Sequence, residues 1–147
     1  FEQIAMAKVS ASALEAREMG YLKRDDVIIA NPNELLYVAK RQALAMLESG
    51  FRSPLDDTFK VVGKAGYANI MAQVANLFEG HFMSEHDKYC ISSLAKVMTG
   101  SLVDENTVVN SKMILDLERK YFVELLGTQK TQDRIEFMLR KSKPLRN

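Results

Sequence analysis

The sequence predicts an all-α fold, a multi-helix array of about six helices. Three observations point there: apolar residues recur at helical spacing, cap residues precede those runs, and glycines close them. β-Branched runs are short by comparison. Phe1 to Ala7 reads as the end of a helix, and Ser10 or Ser12 is placed to cap Ala13 to Met19, with Gly20 just past its end. Val27-Ile28-Ile29-Ala30 suits an extended connector too short to found a sheet. Asn31-Pro32-Asn33-Glu34 then sets a cap, a helix-starting proline and a first-turn acid in order. The helix that follows runs to about Ser49, with Leu35, Val38, Ala39, Leu44, Met46 and Leu47 as its apolar positions and Gly50 as its end.

Phe51 to Thr58, with Pro54 and paired aspartates, has the composition of a surface loop, and Phe59 to Val62 leads into Gly63-Lys64-Ala65-Gly66. Tyr67 to Phe78 is helical in pattern. Ser84-Glu85-His86-Asp87 is a capping-box variant that starts a helix ending at Gly100. Val103 to Thr107 is expected to be a flexible turn, and Val108 to Leu126 the longest helix, with Met113, Leu117, Phe122, Leu125 and Leu126 facing one way. Thr131 is expected to cap a last helix through about Arg140, stopped by Pro144.

Composition narrows the function. The 147 residues are 47% apolar and 27% charged, enough to bury a core and far from the signature of disorder. Twenty Lys and Arg face 19 Asp and Glu, so no global field argues for nucleic acid or a membrane surface. Cys90 is the sole cysteine, which excludes an internal disulfide and fits a reducing compartment. No apolar run approaches the ~18 residues of a membrane span. These features together predict a soluble, cytoplasmic protein, and the start at Phe1, directly in helix-like sequence, suggests a piece of a longer chain.

Residues with chemical potential are few. His81 and His86 stand five apart, an offset that does not bring two imidazoles to one helix face, so no metal is expected. Gly63-Lys64-Ala65-Gly66 resembles a phosphate-cradling loop but lacks the spacing and the Lys-Ser/Thr ending of one, and a flexible helix start explains it better. Cys90, beside Ile91 and Leu94, reads as a small core residue rather than a nucleophile. The eight methionines fill apolar helix faces. Arg134, Arg140, Lys141, Lys143 and Arg146 form the one basic cluster, which as a solvated helix end offsets the macrodipole. No carboxylate pair sits in an apolar setting that would split its pKa values into an acid and a base.

Three segments carry a family resemblance. Phe1-Glu2-Gln3-Ile4 through Ser12-Ala13-Leu14-Glu15-Ala16-Arg17-Glu18-Met19-Gly20-Tyr21-Leu22 resembles the crotonase-fold stretch in which a helix precedes a Ser-Ala-x-x-Ala-x-x-x-Gly turn. Leu115-Asp116-Leu117-Glu118-Arg119-Lys120-Tyr121-Phe122 and Lys130-Thr131-Gln132-Asp133-Arg134-Ile135, with the tail Lys143-Pro144-Leu145-Arg146-Asn147, look like the terminus of large 3-hydroxyacyl-CoA dehydrogenases that carry a crotonase-like domain. The resemblance implies that residues 1–30 end a crotonase-like (enoyl-CoA hydratase/isomerase) domain and that residues 31–147 form a C-terminal helical region. It implies a parent enzyme of fatty-acid β-oxidation, with NAD as cofactor and an acyl-CoA as substrate.

The catalytic groups of that family lie in absent parts, so the resemblance assigns no catalytic residue here and no cofactor to these residues alone. The stretch from about Phe59 to Thr107 is longer than in single-domain hydratases. In simpler relatives the last helix and tail approach the adenine-phosphate end of CoA, which implies CoA contacts for Phe137, Lys141 and Lys143. A fragment of this kind is expected to be inactive alone and to self-associate through apolar faces. The competing expectation is a self-contained helical protein-interaction module.

Overall fold

The computed structural model describes residues 1–53 and 57–147, so Pro54 and Asp56 of the expected loop lie outside the described residues. The chain is an all-α array of seven α-helices, with a single two-stranded ribbon among the described residues. It divides into two units, Met6–Leu55 and Phe1–Ala5 with Asp56–Asn147.

The first unit contains α2 (Ala13–Glu18) and α3 (Leu35–Glu48). Ser12 Oγ accepts the Glu15 amide at 3.1 Å, and Glu15 returns a carboxylate oxygen to the Ala11 amide at 2.6 Å, so both ends of the first turn are satisfied. The unit's remaining order is polar: the Arg17 guanidinium donates to the Asp26 carbonyl at 2.7 Å and the Tyr21 hydroxyl to the Lys8 carbonyl at 3.0 Å. Asn31 caps a 3-10 turn, Pro32–Glu34, that feeds α3. No described residue of this unit is buried.

The second unit opens with α1 (Glu2–Ala5) and is built on α4 (Gly63–Glu79), α5 (Glu85–Met98), α6 (Ser111–Leu126) and α7 (Gln129–Lys141). Helix α5 packs against α4 on one side and α6 on the other. Val61, Val74, Ala95, Val109 and Tyr121 form the core, and Ala95 in the middle of α5 is fully inaccessible. Strand β1 (Thr58–Lys60) pairs antiparallel with β2 (Val108–Asn110), Phe59 opposite Val109.

The ribbon corrects two expectations. Val108 to Asn110 is a strand rather than the start of a helix, because Asn110 turns its side chain to the Met113 amide at 2.9 Å and so fixes the helix start at Ser111. Residues 103–107 are not a free turn. The Val61 amide donates to the Thr107 carbonyl at 3.0 Å, Asn106 returns a bond to the Val61 carbonyl at 2.9 Å, and Lys64 donates to Val103 at 2.8 Å. A further correction concerns α6, where Tyr121 is buried and Phe122 is exposed. Met113, Leu117, Tyr121 and Leu125 follow a strict four-residue spacing, and Lys96 and Lys120 place their ammonium groups 5.3 Å from the Tyr121 ring centroid. Helix α7, finally, is capped by Thr128, whose Oγ1 accepts the Thr131 amide, rather than by Thr131.

Two glycines make the joint between β1, α4 and the segment after α5 possible. Gly63 adopts φ +54° with its backbone against the Val103 carbonyl oxygen, which a Cβ would overlap. Gly100, at φ +77°, lies under Val61, whose side chain would stand 2.7 Å from an added Cβ. Gly63→Ala should therefore destabilise the chain by ~3 kcal/mol, the combined effect of a left-handed backbone and overpacking. Chemical unfolding followed by far-ultraviolet circular dichroism measures it, and a loss below ~1 kcal/mol would contradict the packing described.

Candidate functional site

A part-buried polar cluster joins the start of α5 to α7. Ser84 and Asp87 form a reciprocal capping box, Asp87 Oδ2 accepting the Ser84 amide at 3.0 Å and Ser84 Oγ the Asp87 amide at 3.1 Å. The other carboxylate oxygen of Asp87 accepts from Arg134 Nη1 at 2.7 Å. Nε donates to the side-chain oxygen of Asn147 at 2.7 Å, and Nη2 to its main-chain oxygen at 3.2 Å and to Ser84 Oγ at 3.4 Å. Arg134 is thus a partly buried clasp rather than one of a solvated basic cluster. A cavity of about 380 Å³ beside it is lined by His81, Phe82, Met83, Ser84, Asp87, Arg146 and Asn147.

His86 sits one residue along, buried, its Nε2 2.9 Å from Thr131 Oγ1, which also accepts the Thr128 hydroxyl at 2.8 Å. Burial first, then the nearby positive charges of Arg134 and Lys130, holds His86 below its usual pKa against the opposing pull of Asp87. Burial works to raise the Asp87 pKa, but the Ser84 amide, the Arg134 guanidinium and the Ser84 hydroxyl outweigh it and leave the carboxyl below its usual range. His81, exposed and left-handed at φ 60° past the end of α4, lines the cavity beside the clasp but lies outside the hydrogen bonds that join Ser84, Asp87, Arg134 and Asn147. Among the described residues no group of three or more His, Cys, Asp or Glu stands where it could hold a metal.

The other sequence candidates can be placed in turn. The amides of Gly63, Lys64 and Gly66 donate to the carbonyls of Thr99, Val103 and Val62, so the glycine-containing turn has few donors left for a phosphate. Cys90 is half-buried and its thiol is pushed up by that burial, the opposite of an activated thiolate. Phe137 and Lys141 line a cavity of about 410 Å³ with Asp133, Glu136, Arg140 and Leu145, whereas Lys143 is not part of its wall. Two acids and two bases share that wall, and Arg140 is already held by Glu136 at 2.7 Å.

Among the described residues, the polar groups of these clusters are bonded largely to one another and to the backbone. Sequence reasoning recognised the Ser84–Asp87 cap but not its link to Arg134, since nothing in the local pattern connects residues 47 apart. No helix of the described residues is long and apolar enough to cross a membrane. The whole chain is similar, at 44% identity over all 147 residues, to a protein of Bacillus subtilis (strain 168) named as a probable 3-hydroxyacyl-CoA dehydrogenase. The chain spans 19% of that relative's length. No family model matches the chain, and no solved structure matches it.

The cluster sets an acid lability with a defined sign. Both His86 and Asp87 have folded pKa values below their unfolded ones, so the folded state binds fewer protons and stability falls with acidity. The His86 contribution is complete above about pH 6.5 and is lost as pH falls through its lowered folded pKa. The Asp87 contribution is lost later, below about pH 4. Unfolding free energy measured from pH 7.5 to 4.5 should decline, and His86→Gln should flatten the upper part of that decline. A slope unchanged by His86→Gln would contradict the assignment. Arg134→Met should cost about 1–3 kcal/mol at neutral pH, because it leaves Asp87 partly buried without its cation.

Proposed function

We propose that this chain is a helical segment of a longer 3-hydroxyacyl-CoA dehydrogenase of the kind named in Bacillus subtilis, contributing framework rather than catalytic groups. The carrying observation is the 44% identity, which runs over every residue of the chain. The lack of any nucleophile–base pair among the described polar clusters supports the framework role. On this reading the parent oxidises the 3-hydroxyl of an acyl-CoA, with NAD accepting the hydride, and belongs to fatty-acid β-oxidation. A crotonase-like hydratase/isomerase domain beside the dehydrogenase is the finer part of the same proposal, with residues 1–30 as its end.

The residues present do not fit a dinucleotide, because the amides at the start of α4 are spent on carbonyls, so NAD is assigned to other parts of the longer polypeptide. For CoA itself, Phe137 would offer a ring for the adenine and Lys141 and Lys143 would face the phosphates. Base stacking contributes about 1–3 kcal/mol, and screened surface charges add little, so the tail alone should bind CoA at about the millimolar level.

Steady-state assays supply the test. The full gene product should reduce NAD with a 3-hydroxyacyl-CoA, while the 147-residue chain alone should show no turnover above background. A full gene product without that activity would overturn the proposal. For the tail, titrating CoA into the chain and into a Lys141→Ala/Lys143→Ala variant by NMR should give weaker shifts in the variant. Identical shifts in both, or none near Phe137, would remove these residues from the binding site.

A further inference from the structure

Ten of the fourteen residues of helix α3 are apolar. At 100° per residue, Leu36, Ala43 and Leu47 share one side, Tyr37 and Leu44 the next, and Leu35, Val38 and Met46 a third, with Lys40, Arg41, Gln42 and Glu48 interspersed. A helix of that pattern belongs in an interior. Yet Leu36 is 81% exposed and Leu47 73%, and no residue of α3 is buried.

The exposed area of the chain reinforces the point. The described protein exposes 11438 Å². Two separate compact monomers the sizes of its two units would together expose only about 9,000 Å², so about 2,400 Å² is in excess whatever their arrangement. An excess of that size matches obligate interfaces, which resemble a core cut in half and bury about 2,000–5,000 Å².

We propose that the Leu36–Ala43–Leu47 side of α3 docks against a helix of the same polypeptide lying outside residues 1–147, an inference that rests on the dehydrogenase reading. Lys40 and Ala43 lie between the two leucines with Ala39 at the edge of this side, so the small Ala43 lets a second helix axis approach to about 8–10 Å while the long Lys40 stem carries its ammonium to the rim. The occupant is the longer chain rather than a second copy because the matched relative extends well beyond this segment, the 147 residues covering 19% of it. A polypeptide of that relative's length would supply ample further surface for an interface of the required size.

Alkylation of an Ala43→Cys variant tests this, read by mass spectrometry in the 147-residue chain at micromolar concentration and in the full gene product. Labelling should be at least 100-fold slower in the full gene product, and in unsubstituted protein the α3 amides should exchange hydrogen correspondingly more slowly there. Equal labelling and equal exchange in the two would overturn the proposal. So would a gene product that ends at these 147 residues, or protection in the isolated chain that rises with its concentration and does not increase in the full protein, which would make a second copy the occupant. The two readings fail separately. A full protein that oxidises 3-hydroxyacyl-CoA but leaves position 43 reactive refutes the docking alone, whereas a protected position 43 in a protein without that activity supports the docking and refutes the dehydrogenase assignment.

Discussion

Asp87 divides its carboxylate between two tasks. One oxygen closes the capping box that starts α5, and the other receives Arg134 from α7. Because α5 also packs against α4 and α6, fixing its first turn fixes the element around which the second unit is arranged. Arginine suits the opposite end of this link for a geometric reason: its planar fork can meet Asp87 through Nη1 while Nε and Nη2 reach Asn147, whereas a lysine ammonium would offer one point of charge. With both side chains less than a quarter exposed, the pair is screened less than a surface bridge, and losing one partner strands the other.

The other unit lacks an equivalent centre. Ser12 caps α2, Asn31 caps the 3-10 turn ahead of α3, and Gly20 and Gly50 supply the left-handed residues past the ends of α2 and α3. Caps contribute about 1 kcal/mol each, and helices of six and fourteen residues gain most of their stability from burying a face. Here α3 buries none. The proposed place in a longer dehydrogenase would account for this mismatch between good local signals and absent packing, because the matched relative is about five times as long and such a polypeptide can supply further surfaces.

Much of this was legible in the sequence because it was local. Ser12, Asn31 and Ser84 announce helix starts through hydroxyl and amide chemistry within three residues, and all three do so in the structure. The misread positions depend on distant partners. Val108 to Asn110 becomes a strand because Thr58 to Lys60 lies opposite it, and a three-residue pairing leaves almost no periodic trace. Tyr121 and Phe122 are equally plausible as inward residues by composition, and the choice is made by α5 packing on that side. Arg134 looked like one of five basic residues until Asp87 and Asn147 singled it out. At the candidate sites the glycine-containing turn could be read from residue types, but the occupation of the Gly63 and Lys64 amides by carbonyls could not.

Within a longer dehydrogenase chain of the kind proposed, much of the surface of residues 1–147 would become interior. The most direct measurement is the accessible area of residues 1–147 within an experimental structure of the full gene product. It should fall from 11438 Å² to about 9,000 Å² or less, with Leu36 and Leu47 covered. An area that stays near its present value, with both leucines still facing solvent, would contradict it.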